Sequence, residues 1–252
     1  MTTSPQAPVF FCHGVPGCPQ DAAFLATNGR VVVAPNLLAC EGSAPLEHLA
    51  STFGAAVAQN GGQAFHVVGF SIGAMAALRL AAERPKQVAR VTVVSPAAPL
   101  QLGEFLPDMA GAPVFKLAMK RPRVLRMLTA AQGLLARNVP GMLIKQLFAK
   151  CGVQERALLA DPQFVTALTE GMRNSFVTHR AGYLAYLAAY VADWSDVLRN
   201  VQAPVEIWHG DKDTWAPLKM ADAIKDLVPS SCVLHVVPNG EHYSTLKAVR
   251  LG

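Results

Sequence analysis

Six short runs of branched and aromatic residues punctuate the chain, at Val9–Cys12, Arg30–Ala34, Phe65–Gly69, Val91–Ser95, Val205–His209 and Val233–Val237. They are near-continuously apolar rather than alternating, which is the pattern of strands buried on both faces. Helix-length segments separate most of them, and strand and helix alternating in this way predict an α/β fold, a mostly parallel sheet of about six strands with helices on both faces. The interval from Ser95 to Pro204 is too long for a single crossover helix and is rich in leucine and methionine but poor in strand formers. Helical patterns at Val114–Met127, Gly141–Lys150, Pro162–Phe176 and His179–Tyr190 make it an inserted cap. Residues 1–100 and 200–252 are therefore expected to form the core, and 101–199 a helical cap that covers the strand ends and shapes a pocket.

Composition narrows the setting. The chain has 252 residues, 52% hydrophobic and 15% charged, which suits one domain with a large core. Met1–Pro8 carry no charged side chain, and no apolar run approaches the roughly 18 residues of a membrane span, so a cytoplasmic protein without a secretory signal is expected. Five scattered cysteines (Cys12, Cys18, Cys40, Cys151, Cys232) show no metal-ligand spacing, which predicts reduced thiols and no metal site. Cys12 is expected to be a buried strand residue.

Charge is uneven. Net charge is +5, and from Met109 to Gln154 there is no acidic residue, while Lys116, Lys120, Arg121, Arg123, Arg126, Arg137, Lys145 and Lys150 all fall inside. One face of that segment should be electropositive, either as a plain solvated face or as a surface for an acidic partner or anionic substrate. Aromatic residues are nearly missing there, which disfavours nucleic acid.

The stretch with the most chemical content is Gly69-Phe70-Ser71-Ile72-Gly73. A bare G-x-S-x-G arises by chance in roughly one chain in ten of this length, so its setting carries the weight: a strand-like run before it and the alanine-rich run Ala74–Glu83 after it. That is the context of a nucleophile elbow, where a serine stands on a strained strand-to-helix turn above a helix N-terminus.

A serine nucleophile needs a base, a carboxylate to orient the base, and backbone donors for the oxyanion. His242 in Pro238-Asn239-Gly240-Glu241-His242 lies just past the last strand, where a loop can carry it over the sheet edge. His66, His209 and His235 fall in strands, His48 and His179 in helical patterns, and His13 in the loop after the first strand, where a structural hydrogen-bonding role is expected. Asp213 is preferred to Asp211 as the acid, since Asp211 directly follows the turn residue Gly210 and suits a turn-shaping role. Asp213 could instead cap a helix starting near Pro217. In His13-Gly14-Val15-Pro16-Gly17 a glycine-bearing turn can aim an amide inward, so the Val15 and Ile72 N–H groups are the expected oxyanion hole.

His13-Gly14 with Pro16-Gly17, the Ser71 pentapeptide, Gly210 with Asp213 and Pro217, and Gly240 with His242 together resemble the α/β-hydrolase superfamily, in its group with a helical cap between the sixth and seventh strands. The resemblance covers nearly the whole chain and implies a Ser71-Asp213-His242 triad needing no cofactor or metal. Three departures stand out. Only about one strand's worth of residues precedes His13, so the usual first hairpin is expected to be missing and the Arg30–Ala34 run to form a sheet edge, which a second subunit in a homodimer would cover. The usual Gly-His pair is here Gly240-Glu241-His242, and only ten residues follow His242, which implies a short last helix.

The oxyanion loop also resembles that of epoxide hydrolases and haloalkane dehalogenases, which use an aspartate where this chain has Ser71. Tyr183, Tyr186 and Tyr190 share a helical face, as epoxide-holding tyrosines would, but a packed stripe is the expectation. The resemblance to carboxylesterases and acyl-carrier-protein ester hydrolases implies cleavage of ester or thioester bonds in a small-molecule acyl substrate or one borne on an acidic carrier protein. Relatives use the same triad for C–C bond hydrolysis, lactone opening, peroxide chemistry or cofactor-free lyase and dioxygenase reactions. A ligand-binding protein on this fold is a third reading; its usual mark is a lost triad residue, and here all are present.

Overall fold

The apolar runs become strands of one sheet, whose central members are buried on both faces while the edge runs Val32–Val33 and Cys232–Val237 are partly exposed. The structure, a computed structural model, describes residues 6–40 and 42–251. Among the described residues the strands are β1 (Val9–Cys12), β2 (Val32–Val33), β3 (Phe65–Phe70), β4 (Val88–Val94), β5 (Val205–Gly210) and β6 (Cys232–Val237), in the order β2-β1-β3-β4-β5-β6. Every neighbouring pair is parallel. Every residue of β1 and β3 is buried, as expected of central strands in such a sheet.

The register decides where chemistry can occur. Cys12, Gly69, Val93, Ile207 and Leu234 are successive partners across five strands. The loops after β1, β3, β5 and β6 therefore leave the sheet on one edge, the side on which open α/β sheets bind ligands. These loops carry Val15, Ser71 and Asp213, and the last of them leads directly into His242.

The helices are α1 (Pro45–Gln59), α2 (Gly73–Glu83), α3 (Ala112–Lys120), α4 (Pro122–Asn138), α5 (Pro140–Leu147), α6 (Val153–Ala157), α7 (Pro162–Arg173), α8 (Arg180–Val191), α9 (Ser195–Leu198), α10 (Lys219–Leu227) and α11 (His242–Ala248). Helices α3 to α9 fall between β4 and β5, where the sequence placed its long helical insertion. None of the described helices is long and apolar enough to cross a membrane.

Local physics corrects the expected boundaries. The run Val114–Met127 is not one helix, because Pro122 cannot donate a backbone bond and disfavours helical geometry at the residue before it. Arg121 turns out at φ −143° and ψ 61°, ending α3, and Pro122 opens α4. The run Pro162–Phe176 ends as α-helix at Arg173 and continues through one π-helical turn, Asn174–Thr178. His242 is not in a loop but is the first residue of α11.

The Arg30–Ala34 run does form the sheet edge, shortened to two residues in β2, with Val31 64% exposed beside it. Tyr183, Tyr186 and Tyr190 are all buried, and Tyr190 donates to the Ala98 carbonyl at 3.0 Å, as a packed stripe would. Cys12 is buried in its strand, where burial drives its thiol pKa far upward.

Candidate active site

Ser71 sits at φ +56°, left-handed backbone at a residue with a side chain. Such a conformation costs about 1–2 kcal/mol and persists only where surroundings enforce it. Here the Ser71 N–H donates to Val94 O at 3.0 Å, and its carbonyl accepts from Ala74 and Ala97, each at 3.1 Å. The flanking glycines are required by close approach. A Cβ at Gly73 would lie 2.2 Å from the Cys12 carbonyl oxygen, and one at Gly69 2.8 Å from the Ala74 Cα. The half-buried side chain of Ser71 thus stands above the start of α2, whose free amides favour negative charge.

The structure brings Asp213 and His242 together. His242 Nδ1 lies 2.7 Å from Asp213 Oδ2, and both side chains are buried. Asp213 Oδ1 accepts from the Trp215 and Ala216 amides at 2.8 and 3.0 Å. Burial acts to raise the Asp213 carboxyl, but His242, His209 and the Ala216 amide outweigh it and hold the group below the ordinary carboxylate value. Asp211 is exposed, and α10 is capped at Leu218, so the alternative of Asp213 as a helix cap does not hold.

The ring of His242 packs against Phe70 and Trp215, with centroids 4.8 and 4.9 Å away. Phe70 is the neighbour of Ser71 in the chain. With Nδ1 on Asp213, the ring presents Nε2 to any reacting group. Among the described residues no hydrogen bond links Ser71 to His242. Such bonds are often long in unliganded enzymes and tighten when substrate binds.

His13 is fully buried. Its Nδ1 donates to Gly14 O at 2.8 Å, and Nε2 accepts from the Leu37 N–H at 3.0 Å. Burial lowers its pKa to about 4, so the neutral ring is a strut for the loop. Among the described residues neither the Val15 nor the Ile72 amide donates to a protein acceptor. The loop is braced by the insertion: Ser175 Oγ accepts from the Gly17 N–H at 3.2 Å and Asn174 Nδ2 donates to Gly17 O at 2.9 Å. Both bracing residues lie in the π-helical turn.

Sequence reasoning missed several residues that hold the site. Ser95, at φ +44°, donates from Oγ to the His242 carbonyl at 3.2 Å. Glu155, in α6, accepts from the amides just after His242. Neither sits in a recognisable motif, and both act only through contacts distant in the chain. A cleft of about 750 Å³ beside α4 and α8 is lined by Leu125, Arg126, Arg137, Arg180 and Leu184, and includes none of Ser71, Asp213 and His242.

A family model described as alpha/beta hydrolase fold matches residues 7–248. The chain belongs to the α/β-hydrolase family. Comparison with curated protein sequences gives no match. Among solved structures, Est816, described as an N-acyl homoserine lactone degrading enzyme, aligns with TM-score 0.63 and 18% identity over 96% of this chain and 88% of its own. A thermophilic esterase from Thermogutta terrifontis gives 0.63 and 15%, over 98% and 86%. The enol-lactonase from Burkholderia xenovorans LB400 gives 0.63 and 13%, over 96% and 87%. At these identities the likeness is one of fold.

Proposed function

We propose that this α/β-hydrolase is a serine hydrolase of carboxylic esters or thioesters. The observation that carries the reading is the buried Asp213–His242 pair at 2.7 Å beside the left-handed Ser71 turn. In this reading His242 Nε2 takes the Ser71 Oγ proton as Oγ attacks the acyl carbon. The Val15 and Ile72 amides receive the oxyanion, each worth about 3 kcal/mol of barrier by analogy with measured cases. The imidazolium then gives its proton to the leaving alkoxide or thiolate, and an acyl-enzyme remains. Water, deprotonated by the same histidine, attacks the acyl carbon and frees Ser71 and the acid.

The helices between β4 and β5 act as a cap in this account. The eight basic residues of the stretch from Lys116 to Lys150 are all exposed, which favours an anionic acyl substrate or an acidic carrier. A lactone is an internal ester and fits the same steps, and two of the structural neighbours above are named for acting on lactones.

A panel of esters, thioesters and lactones of graded chain length, with products identified by mass, tests the reading. Hydrolysis of at least one class, lost in Ser71→Ala, is expected. For anionic substrates the rate should fall as salt rises while neutral esters are unaffected. Turnover that survives Ser71→Ala would refute the nucleophile assignment.

A further inference from the structure

Two buried glutamates exchange helix caps between the inserted helices and the histidine. Glu155, in α6, is fully buried. Its Oε1 accepts from the Tyr243 N–H at 2.6 Å, and its Oε2 from the Ser244 N–H at 2.9 Å. Those amides are first-turn donors of α11, which have no partner inside their own helix. Glu241, immediately before His242, is 4% exposed and makes the return contact: its Oε2 accepts from the Gly152 N–H at 2.5 Å and its Oε1 from the Glu155 N–H at 3.2 Å. Each carboxylate therefore satisfies the start of the other's helix, with charge-assisted bonds in a water-poor setting. The approach at Gly152 is close, since a Cβ there would stand 2.7 Å from Glu241 Oε1.

We propose that Glu155 and Glu241 form a reciprocal latch that seats the inserted helices on the start of α11, with Glu155 a positioning residue for His242. This rests on the reading of His242 as the base. Two consecutive amides directly after His242 are held by Glu155, and the His242 carbonyl is held by Ser95, so the ring's place is fixed from both the insertion and the sheet. The base is then in register only while α6 is seated.

The latch also adds charge. The titratable groups that face His242 are His209 from β5, Asp213 from the loop after it, Glu155 from α6 and the neighbouring Tyr243. Burial raises the Glu155 carboxyl above its ordinary value, while the Tyr243 and Ser244 amides and His242 act to lower it.

Glu155→Gln and Glu241→Gln keep the shape but set an amide group against backbone donors. Backbone hydrogen exchange of residues 152–157 and 242–246 reads the latch, and covalent labelling of Ser71 by a fluorophosphonate across pH reads the base. Each variant should speed exchange in both segments by about tenfold, and the double variant little more, because the two caps act as one unit. Labelling should slow about 10- to 100-fold. In Glu155→Gln the acid limb of its pH profile should also move to lower pH, since an anion beside the imidazolium is gone.

If a Gln variant fails to fold, Gly152→Ala serves: it leaves both acids in place, displaces Glu241, and should speed exchange at 242–246 as well. Exchange changes confined to the segment whose own cap was altered, or an unmoved pH profile, would overturn the proposal. If the wild-type protein takes no label at Ser71, the serine-hydrolase reading fails, and exchange alone still decides whether the caps are coupled.

Discussion

Asp213 and His242 stand 29 residues apart in the chain and meet at 2.7 Å, oxygen to Nδ1, because β5 and β6 are adjacent parallel strands whose loops leave the same sheet edge. Asp213 spends its other oxygen on the Trp215 and Ala216 amides, so its position is set by the backbone and its charge is directed at the ring. Asp213→Asn preserves those two bonds but places an amide where a carboxylate accepted the Nδ1 proton. On a substrate of the active class kcat should fall about 10⁴-fold, by analogy with triads where the wrong tautomer results, with little change in melting temperature. A loss below about tenfold would contradict the assigned role.

The glycines of the elbow are space-limited, and one glycine elsewhere is not. A methyl at Gly73 would enter the Cys12 and His13 carbonyls, at 2.2 and 2.6 Å, and neither backbone can yield without disturbing β1. Gly54, within α1, meets nothing within 4 Å. Gly73→Ala should therefore cost about 3 kcal/mol or more, or prevent folding. Gly54→Ala should gain about 0.5–1 kcal/mol by restricting the unfolded chain. Urea midpoints measure both, and equal effects of the two substitutions would contradict the packing argument.

Asp21 makes the fold lose stability as pH rises from acid towards neutral. It is 1% exposed, and burial pushes its carboxyl from 3.8 up to about 8, only partly opposed by the Cys18 amide at 3.4 Å. Between those values the folded chain keeps a proton that the unfolded chain has released. Its stability contribution is full below about pH 4 and is lost as pH rises to about 8. Asp21→Asn cannot ionise, so its stability relative to wild type should rise across that window, by up to about 1.4 kcal/mol per pH unit. Urea denaturation at several pH values checks this; parallel curves for the two proteins would contradict it.

The centre of the sheet was legible because its strands are buried on both sides, and a short continuous apolar run such as Val9–Cys12 suits such a strand. The elbow was legible because Gly69 and Gly73 sit where any side chain would strike backbone. Helix ends in the insertion were less so, since the break at Arg121–Pro122 and the π-helical turn at Asn174–Thr178 interrupt an unbroken hydrophobic period. The braces of the site were not legible at all. Ser95, Ser175 and Glu155 are ordinary residues in sequence, and their importance comes from backbone groups 147, 158 and up to 89 positions away.

The central claim is that Ser71 is a nucleophile activated by His242. Incubation of the folded protein with a fluorophosphonate, with the modified peptide located by mass spectrometry, tests it most directly. The account predicts a single adduct on Ser71, absent in Ser71→Ala and slowed about 10³-fold or more in His242→Ala. Labelling of Ser71 at an undiminished rate in His242→Ala, or no adduct on a wild-type protein shown to be folded, would contradict it.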